Sequence, residues 1–315
     1  MPFEHTPVLL DECLQGLNIR PDGTYMDGTL GGAGHSSEIL RRLTTGRLIG
    51  IDRDEEAIAA SRARLQALQR DGLPRFDIVH GNFHDCVSLL SGLGVDGLDG
   101  ALLDLGVSSH QFDEAERGFS YHADAPLDMR MDRSQALTAA DIVNTWSMDD
   151  IARLLRDWGE ESWAVQIARL ITDRRTRSPI LTTGQLSDIV DAAIPAKLRR
   201  KDGGHPARRT FQALRIAVND ELAPLEQALR DIVSCLRPGG RLCVITFHSL
   251  EDRVVKNTFK NLAAPCTCPP RFPVCVCGKK PVVRLITARP ITPTEEEIER
   301  NRRARSASLR IIEHL

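Results

Sequence analysis

The 315-residue chain contains no apolar run approaching the roughly 18–20 residues that a membrane span needs. Its first residues, Met1-Pro2-Phe3-Glu4-His5, lack the charged-then-apolar pattern of a secretory leader. A soluble, cytoplasmic protein with no membrane partner is the expectation. Net charge is almost absent too: 41 Lys and Arg against 43 Asp and Glu leave −2. That excludes a polycation, so any nucleic-acid contact must come from a local patch. There is no internal repeat, and the pattern Gly-x-Gly-x-x-Gly does not occur, which removes the dinucleotide fingerprint. What is present is an apolar content of 42%, enough for a core in one large domain or two modest ones.

The most informative stretch is Asp27-Gly28-Thr29-Leu30-Gly31-Gly32-Ala33-Gly34-His35. It follows the strand-like Thr24-Tyr25-Met26 and opens a helix-like run over 36–43. A glycine-rich turn in that position lets backbone N–H groups approach a ligand closely, where a Cβ would block approach or forbid positive φ. Next comes the buried-strand pattern Arg47-Leu48-Ile49-Gly50-Ile51-Asp52. An acidic residue about 20 positions beyond the glycines takes ribose hydroxyls. Gly32, Gly34 and Asp52 therefore read as a nucleoside site; a plain tight turn is the bland alternative. Asp27 ahead of the loop suits a cationic amino-acid group better than a pyrophosphate, which points to S-adenosylmethionine rather than NAD.

Strand and helix patterns alternate around this loop. Leu9, Leu10, Cys13, Leu14 and Leu17 have helical spacing, as do Ala57, Ile58, Ser61, Leu65 and Leu68 within 54–68. Residues 76–80 and 98–109 read as the third and fourth strands. The alternation predicts a doubly wound parallel sheet. It stops between about His110 and Arg215. There, Ser147 to Asp150 and Thr182 to Gln185 look like helix-capping boxes ahead of apolar faces, and Pro195 ends the second helix. A helical insertion is expected, giving segments 1–109, 110–215 and 216–315. A helix over 221–236, a turn at 237–240, a strand over 241–247 and closing strands over 282–288 and 308–312 complete the sheet. The charge runs Glu295-Glu296-Glu297 and Arg302-Arg303-Ala304-Arg305 read as solvated faces, although the second could touch phosphate.

Ligands of an open parallel sheet sit outside the carboxyl ends of its strands. The residues expected there are Asp27, Asp52, Phe83, Asp104 and His248. Phe83 could stack on a purine or be an ordinary core side chain. Asp104 ends an apolar strand and needs a partner there, because an isolated buried carboxylate is costly. Ser108, Ser109 and Gln111 add donors and acceptors just beyond it. In Phe247-His248-Ser249-Leu250-Glu251-Asp252-Arg253, an N-cap at Ser249 with acids in the first turn accounts for part of the polarity but not for His248 or Arg253.

Of eight cysteines, Cys13, Cys86, Cys235 and Cys243 are scattered among apolar neighbours and read as buried thiols. Cys266, Cys268, Cys275 and Cys277 form two Cys-x-Cys pairs six residues apart. Two readings fit them: a structural tetrahedral zinc site, or a reduced loop stiffened by Pro269, Pro270 and Pro273. A basic stretch runs from Arg174 through Arg175, Arg177, Lys197, Arg199, Arg200, Lys201 and Arg208 to Arg209, opposed by Asp173, Asp188, Asp191 and Asp202. Its second half contains Gly203-Gly204 and Pro206, and residues 197–209 read as a loop that either clamps RNA phosphates or is simply solvated.

Several of these motifs together resemble one family. They are Asp27-Gly28-Thr29 with Gly34-His35-Ser36, Ile51-Asp52-Arg53-Asp54, Leu103-Asp104-Leu105-Gly106-Val107-Ser108-Ser109, Glu116-Arg117-Gly118-Phe119-Ser120, Pro126-Leu127-Asp128-Met129-Arg130-Met131, Arg209-Thr210-Phe211-Gln212-Ala213-Leu214-Arg215 and the segment from Phe247 to Arg253. They are similar to the bacterial small-subunit (16S) ribosomal RNA cytosine-N4 methyltransferases, the RsmH/MraW family, over nearly the whole chain. The resemblance implies a class I methyltransferase Rossmann-like sheet with an inserted all-helical domain for substrate. It also implies S-adenosylmethionine as methyl donor and N4-methylation of a decoding-region cytidine in 16S ribosomal RNA within the small subunit; no DNA partner is expected. The family's cofactor contacts fall on Ala33, Gly34, His35, Asp52, Phe83, Asp104 and Gln111. The polar-Pro-Pro-aromatic motif common in amino-group methyltransferases is missing; Asp104-Leu105-Gly106-Val107 stands in its place. The acceptor for N4 is then Asp104 or a neighbouring backbone carbonyl, with Ser108, Ser109 or His248 assisting. Two other classes fit the nucleoside loop taken alone: a different nucleoside-cofactor enzyme such as an oxidoreductase, and a non-catalytic RNA-binding or assembly factor.

Overall fold

A computed structural model describes residues 7–69, 74–199, 205–269 and 276–315. The chain divides into two compact units. One comprises the residues up to Gly106 together with Leu222–Leu315, and the other is Val107–Glu221.

The first unit begins with α1 (Leu10–Leu17), β1 (Thr24–Asp27), α2 (Gly34–Arg42), β2 (Arg47–Asp52), α3 (Glu55–Gln69), β3 (Phe76–His80), α4 (Cys86–Gly92) and β4 (Leu98–Asp104). β4 is apolar and buried to its end, as a strand covered on both faces must be. It stops at Asp104, five residues short of the expected boundary. Ser108 takes extended φ/ψ and its hydroxyl accepts from the Gln111 N–H, so a helix starts where the sequence suggested more strand.

That helix, α5 (Ser109–Asp113), lies in the second unit with α6 (Ala139–Thr145), α7 (Met148–Gly159), α8 (Ala164–Arg175), α9 (Thr183–Ala193), α10 (Ala196–Arg199) and α11 (Arg208–Asn219). Side-chain caps from Thr138, Ser147 and Thr182 start α6, α7 and α9. Ile142, Val143, Ile151, Leu154, Leu155, Ile167, Ile171, Leu186, Val190, Phe211 and Leu214 form its core. The fully buried Arg117 is satisfied by the carbonyls of Arg130 and Met131. The stretch expected to be a loop over 197–209 is helical at both ends, in α10 and α11. Residues 200–204, including Arg200, Lys201, Gly203 and Gly204, lie outside the described residues.

The chain returns to the first unit with α12 (Leu225–Cys235), β5 (Leu236–Thr246), α13 (Ser249–Ala263), β6 (Val283–Leu285), α14 (Glu295–Arg300) and β7 (Ser308–His314). The seven strands lie in the order β3-β2-β1-β4-β5-β7-β6. β1 to β5 are parallel, while β7 runs antiparallel to β5 and β6. This is a doubly wound α/β sheet with an antiparallel closing pair. The expected turn at 237–240 is an irregularity inside β5: Leu236 pairs with Leu98 and Arg241 with Gly100. Two apolar clusters flank the sheet, one around Ile49, Leu103, Leu229, Val244 and Phe259, the other around Leu14, Leu40, Leu48, Leu102 and Ile311. At the amino end of the strands, buried Asp99 accepts from the Thr24 N–H and from Arg20 and Arg237. Glu297 does not lie on a merely solvated face. Its Oε1 accepts from the Leu9 N–H at 2.7 Å and caps the start of α1.

Candidate active site

β1 and β4 are neighbours although the strand order reverses between them, and a crevice opens at such a point beyond the carboxyl ends. The glycine-rich loop fills its near side. It first continues the sheet pairing: the Gly28 N–H donates to Leu102 O at 2.9 Å and the Leu30 N–H to Ile51 O at 3.0 Å. It then turns through two left-handed residues, Gly31 (φ 49°) and Ala33 (φ 56°), before α2 begins. The conformational demand therefore falls on Gly31 and Ala33 rather than on Gly32 and Gly34. Gly34 is small for another reason: a Cβ there would meet Pro7 Cγ at 2.5 Å.

Two carboxylates hold the loop. Asp52, at the end of β2, accepts from the Gly31 N–H at 2.7 Å and from the Asp54 N–H at 2.9 Å. Buried Asp27 accepts from the Ser36 hydroxyl at 2.7 Å and the Thr29 N–H at 3.2 Å. Burial raises the pKa of both; that of Asp27 is pushed up to about 6. Both groups retain acceptor capacity, since each carboxylate oxygen carries two lone pairs.

Asp104 is held at its backbone, where its N–H donates to Thr29 Oγ1 at 2.6 Å. Its carboxyl group is not. Oδ1 is buried without a hydrogen-bond partner, and Oδ2 lies 4.0 Å from His35 Nδ1. The His35 ring is anchored through Nε2 to the Val8 carbonyl at 3.0 Å. Burial, and then repulsion from Asp27 and Glu251, pushes the Asp104 pKa up to about 8. An unpartnered oxygen among acids is what a cationic ligand group would satisfy, so the chemistry of this donor set fits a sulfonium or ammonium ligand.

Phe83 follows β3 in a 3₁₀ turn, half-buried, with its Cβ only 3.0 Å from where a Cβ on Gly28 would stand. His84 meets its ring edge-on at 4.4 Å. The His84 Nε2 is buried without a partner, and burial lowers the His84 pKa to about 4. His84 was not a sequence candidate; its signal is only its place in the exit loop of β3.

His248, not Ser249, is the N-cap of α13. Its Nδ1 accepts from the Glu251 N–H at 3.4 Å, while Glu251 Oε2 accepts from the N–H groups of Phe247 and His248. Asp252 makes a two-bond pair with Arg310 at 2.7 and 2.9 Å. Most of the polarity after β5 thus secures a helix start. In the second unit, the Gln111 Oε1 accepts from the Ser108 N–H at 3.1 Å, completing a capping box; Ser109 is the first residue of α5.

A family model described as the MraW methylase family matches residues 2–315. The chain belongs to the MraW methylase family. It is 56% identical over 313 residues to the Ribosomal RNA small subunit methyltransferase H of Symbiobacterium thermophilum, covering 99% of this chain and 97% of that one. It is 54% identical over 316 residues to the protein of the same name from Ruminiclostridium cellulolyticum, covering 100% of each. A solved rRNA methylase from Streptococcus thermophilus aligns over 97% of this chain and 93% of that one, at 11% identity and a TM-score of 0.42, a likeness that adds nothing to the assignment. No helix among the described residues is long and apolar enough to cross a membrane.

Proposed function

We propose that this methylase transfers a methyl group from S-adenosylmethionine to N4 of a cytidine in the decoding region of 16S ribosomal RNA, within the small ribosomal subunit. The observation that carries the reading is the unpartnered carboxyl oxygen of Asp104 at the sheet's switch point. The names of relatives matched over the full chain supply the substrate class. On this reading the protein works in the cytoplasm, where small subunits are assembled.

The cofactor supplies an activated methyl group on a sulfonium. The chain's own residues bind and orient it. Asp52 accepts from the ribose hydroxyls while keeping the Gly31 amide in place. The loop from Gly31 through Ala33 and Gly34 to His35 would present backbone to the amino-acid part, and Phe83 would hold the base. Asp104 faces the positive charge. Cytosine N4 is a weak nucleophile because its lone pair conjugates with the ring. An acceptor that takes an N4–H hydrogen bond localises that lone pair, and most of the acceleration comes from positioning. Asp104 is the acceptor we assign. His248 and Ser108 act through the helix starts they cap, and Gln111 through its hydrogen bond to Ser108.

The test is methyl transfer from labelled cofactor to small subunits and to naked 16S RNA, followed by nucleoside analysis. The expected product is N4-methylcytidine at one position. Label on another nucleoside overturns the substrate assignment. Full transfer by a folded Asp104→Ala variant overturns the role given to Asp104.

A further inference from the structure

We propose that the segment joining α13 to β6 is a structural zinc site built on Cys266, Cys268 and Cys277. Among its described residues the segment contains no helix or strand. Its ends are tied together where the Val282 N–H donates to Leu262 O at 3.1 Å. Described residues outside any helix or strand need something other than an apolar core to hold them. The three thiols do not supply such a core: Cys266 is exposed, Cys268 and Cys277 are half-buried, and neighbouring Val276 is 73% exposed.

The sulfurs nonetheless converge. All three lie within 4.8 Å of one another, although Cys266 and Cys277 are eleven residues apart. Tetrahedral zinc with Zn–S bonds of about 2.3 Å requires sulfur–sulfur edges of roughly 3.8 Å. The Cys266 and Cys277 sulfurs are 3.8 Å apart. The Val276 N–H donates to the Cys268 sulfur at 3.4 Å, the kind of backbone donor that stabilises a metal-bound thiolate. Gly278, at φ 66°, turns the chain away directly after Cys277. Lys279 and Lys280 follow in sequence and offset the negative charge of a multi-thiolate centre. Cys275, two positions before Cys277, lies outside the described residues, and the site rests on the three sulfurs that converge. The thiols lose protons to the solvent when the metal binds, and no redox step is involved.

The experiment uses the full chain purified under reducing conditions from zinc-supplemented cells. Elemental analysis should find about one zinc per chain, retained in a Cys235→Ser control and reduced at least tenfold in a Cys266→Ser/Cys277→Ser variant. Cobalt exchanged into the wild-type protein should give the strong visible absorption and thiolate charge-transfer bands of a tetrahedral sulfur site. Removing metal should speed proteolytic cleavage within 264–282 at least several-fold. Wild-type protein that takes up neither zinc nor cobalt overturns the proposal, as does metal that survives the double substitution. The cobalt spectrum reads the wild-type chain, so misfolding of the variant leaves the test decisive.

Discussion

A carboxyl group in a protein interior is held by a partner, by a proton, or at a cost. Asp27 has the Ser36 hydroxyl and Thr29 amide; Asp104 Oδ1 has neither. The pH behaviour follows from this difference. The folded pKa values, about 6 for Asp27 and about 8 for Asp104, both exceed the value of about 3.9 expected in an unfolded chain. The folded state therefore binds more protons than the unfolded state across that window. The stability these two groups contribute is complete below pH 4 and is lost as pH rises through 6 and then 8. Cofactor-free protein should melt at progressively lower temperature between about pH 5 and 9, with the upper part of the fall missing in Asp104→Asn. Thermal scans across pH check this, and identical slopes for parent and variant would remove Asp104 as the cause. A cationic cofactor should displace the Asp104 proton, so its affinity should rise with pH toward a plateau above 8. Calorimetry in buffers of different ionisation heat reads that proton directly. At Asp52, loss of hydrogen bonds to a charged group weakens binding by about 1.5–3 kcal/mol. Asp52→Ala should show that loss in S-adenosylmethionine affinity by calorimetry, since it also frees the Gly31 amide. An unchanged dissociation constant would place the ribose elsewhere.

At the scale of elements, the structure follows the local rules where they are local. Residues 76–80 form β3 as expected, and Thr182 with Gln185 closes a capping box at α9. Thr182→Ala should cost the second unit about 1 kcal/mol, the usual loss of a side-chain cap, seen as a lower denaturation midpoint with unchanged slope. What the sequence left illegible depends on partners far along the chain. Glu297 looks like part of an acidic run until its contact with Leu9, 288 residues away, is known. The irregular pairing of 237–240 depends on where β4 begins its register, and the left-handed Ala33 on the packing beneath α2. The strand-end positions of Asp27, Asp52 and Asp104 were legible because each follows an apolar run, where a charge stands out. That His248 caps α13 was not legible, because a ring nitrogen that accepts from the third residue of a helix resembles, in sequence, one poised for chemistry. Likewise the tie between Asp99, Arg20 and Arg237 joins positions that no spacing rule connects.

For the whole molecule, the open question is how a chain of net charge −2 grips RNA. On the proposed reading, a cytosine within folded RNA must be unpaired or extruded before its N4 can meet a methyl group at a sheet edge. Something must hold the flanking phosphates, and the grip has to be local. The basic stretch between Arg174 and Arg209 is the candidate, and its members are not equivalent. Arg174 is bonded to Ser178, and Arg175 donates to the Val143 carbonyl at 2.9 Å, so these two serve the second unit's own fold. In sequence, the exposed Lys197 on α10 and Arg208 on α11 lie on either side of Arg199, Arg200 and Lys201, the last two of which lie outside the described residues. Reversing the charge of Arg199, Arg200 and Lys201 should weaken RNA binding and flatten its dependence on salt, each lost phosphate contact lowering the log–log slope by roughly 0.7–0.9. S-adenosylmethionine affinity should stay the same, because the reversal targets phosphate contacts and leaves the proposed cofactor residues Asp52 and Asp104 untouched. Filter binding across a salt series, with cofactor calorimetry beside it, separates the two effects. Equal salt slopes for parent and variant would move the grip to Arg302, Arg303 and Arg305, which lie in the 3₁₀ turn ahead of β7. The same reversal made there would then have to flatten the slope.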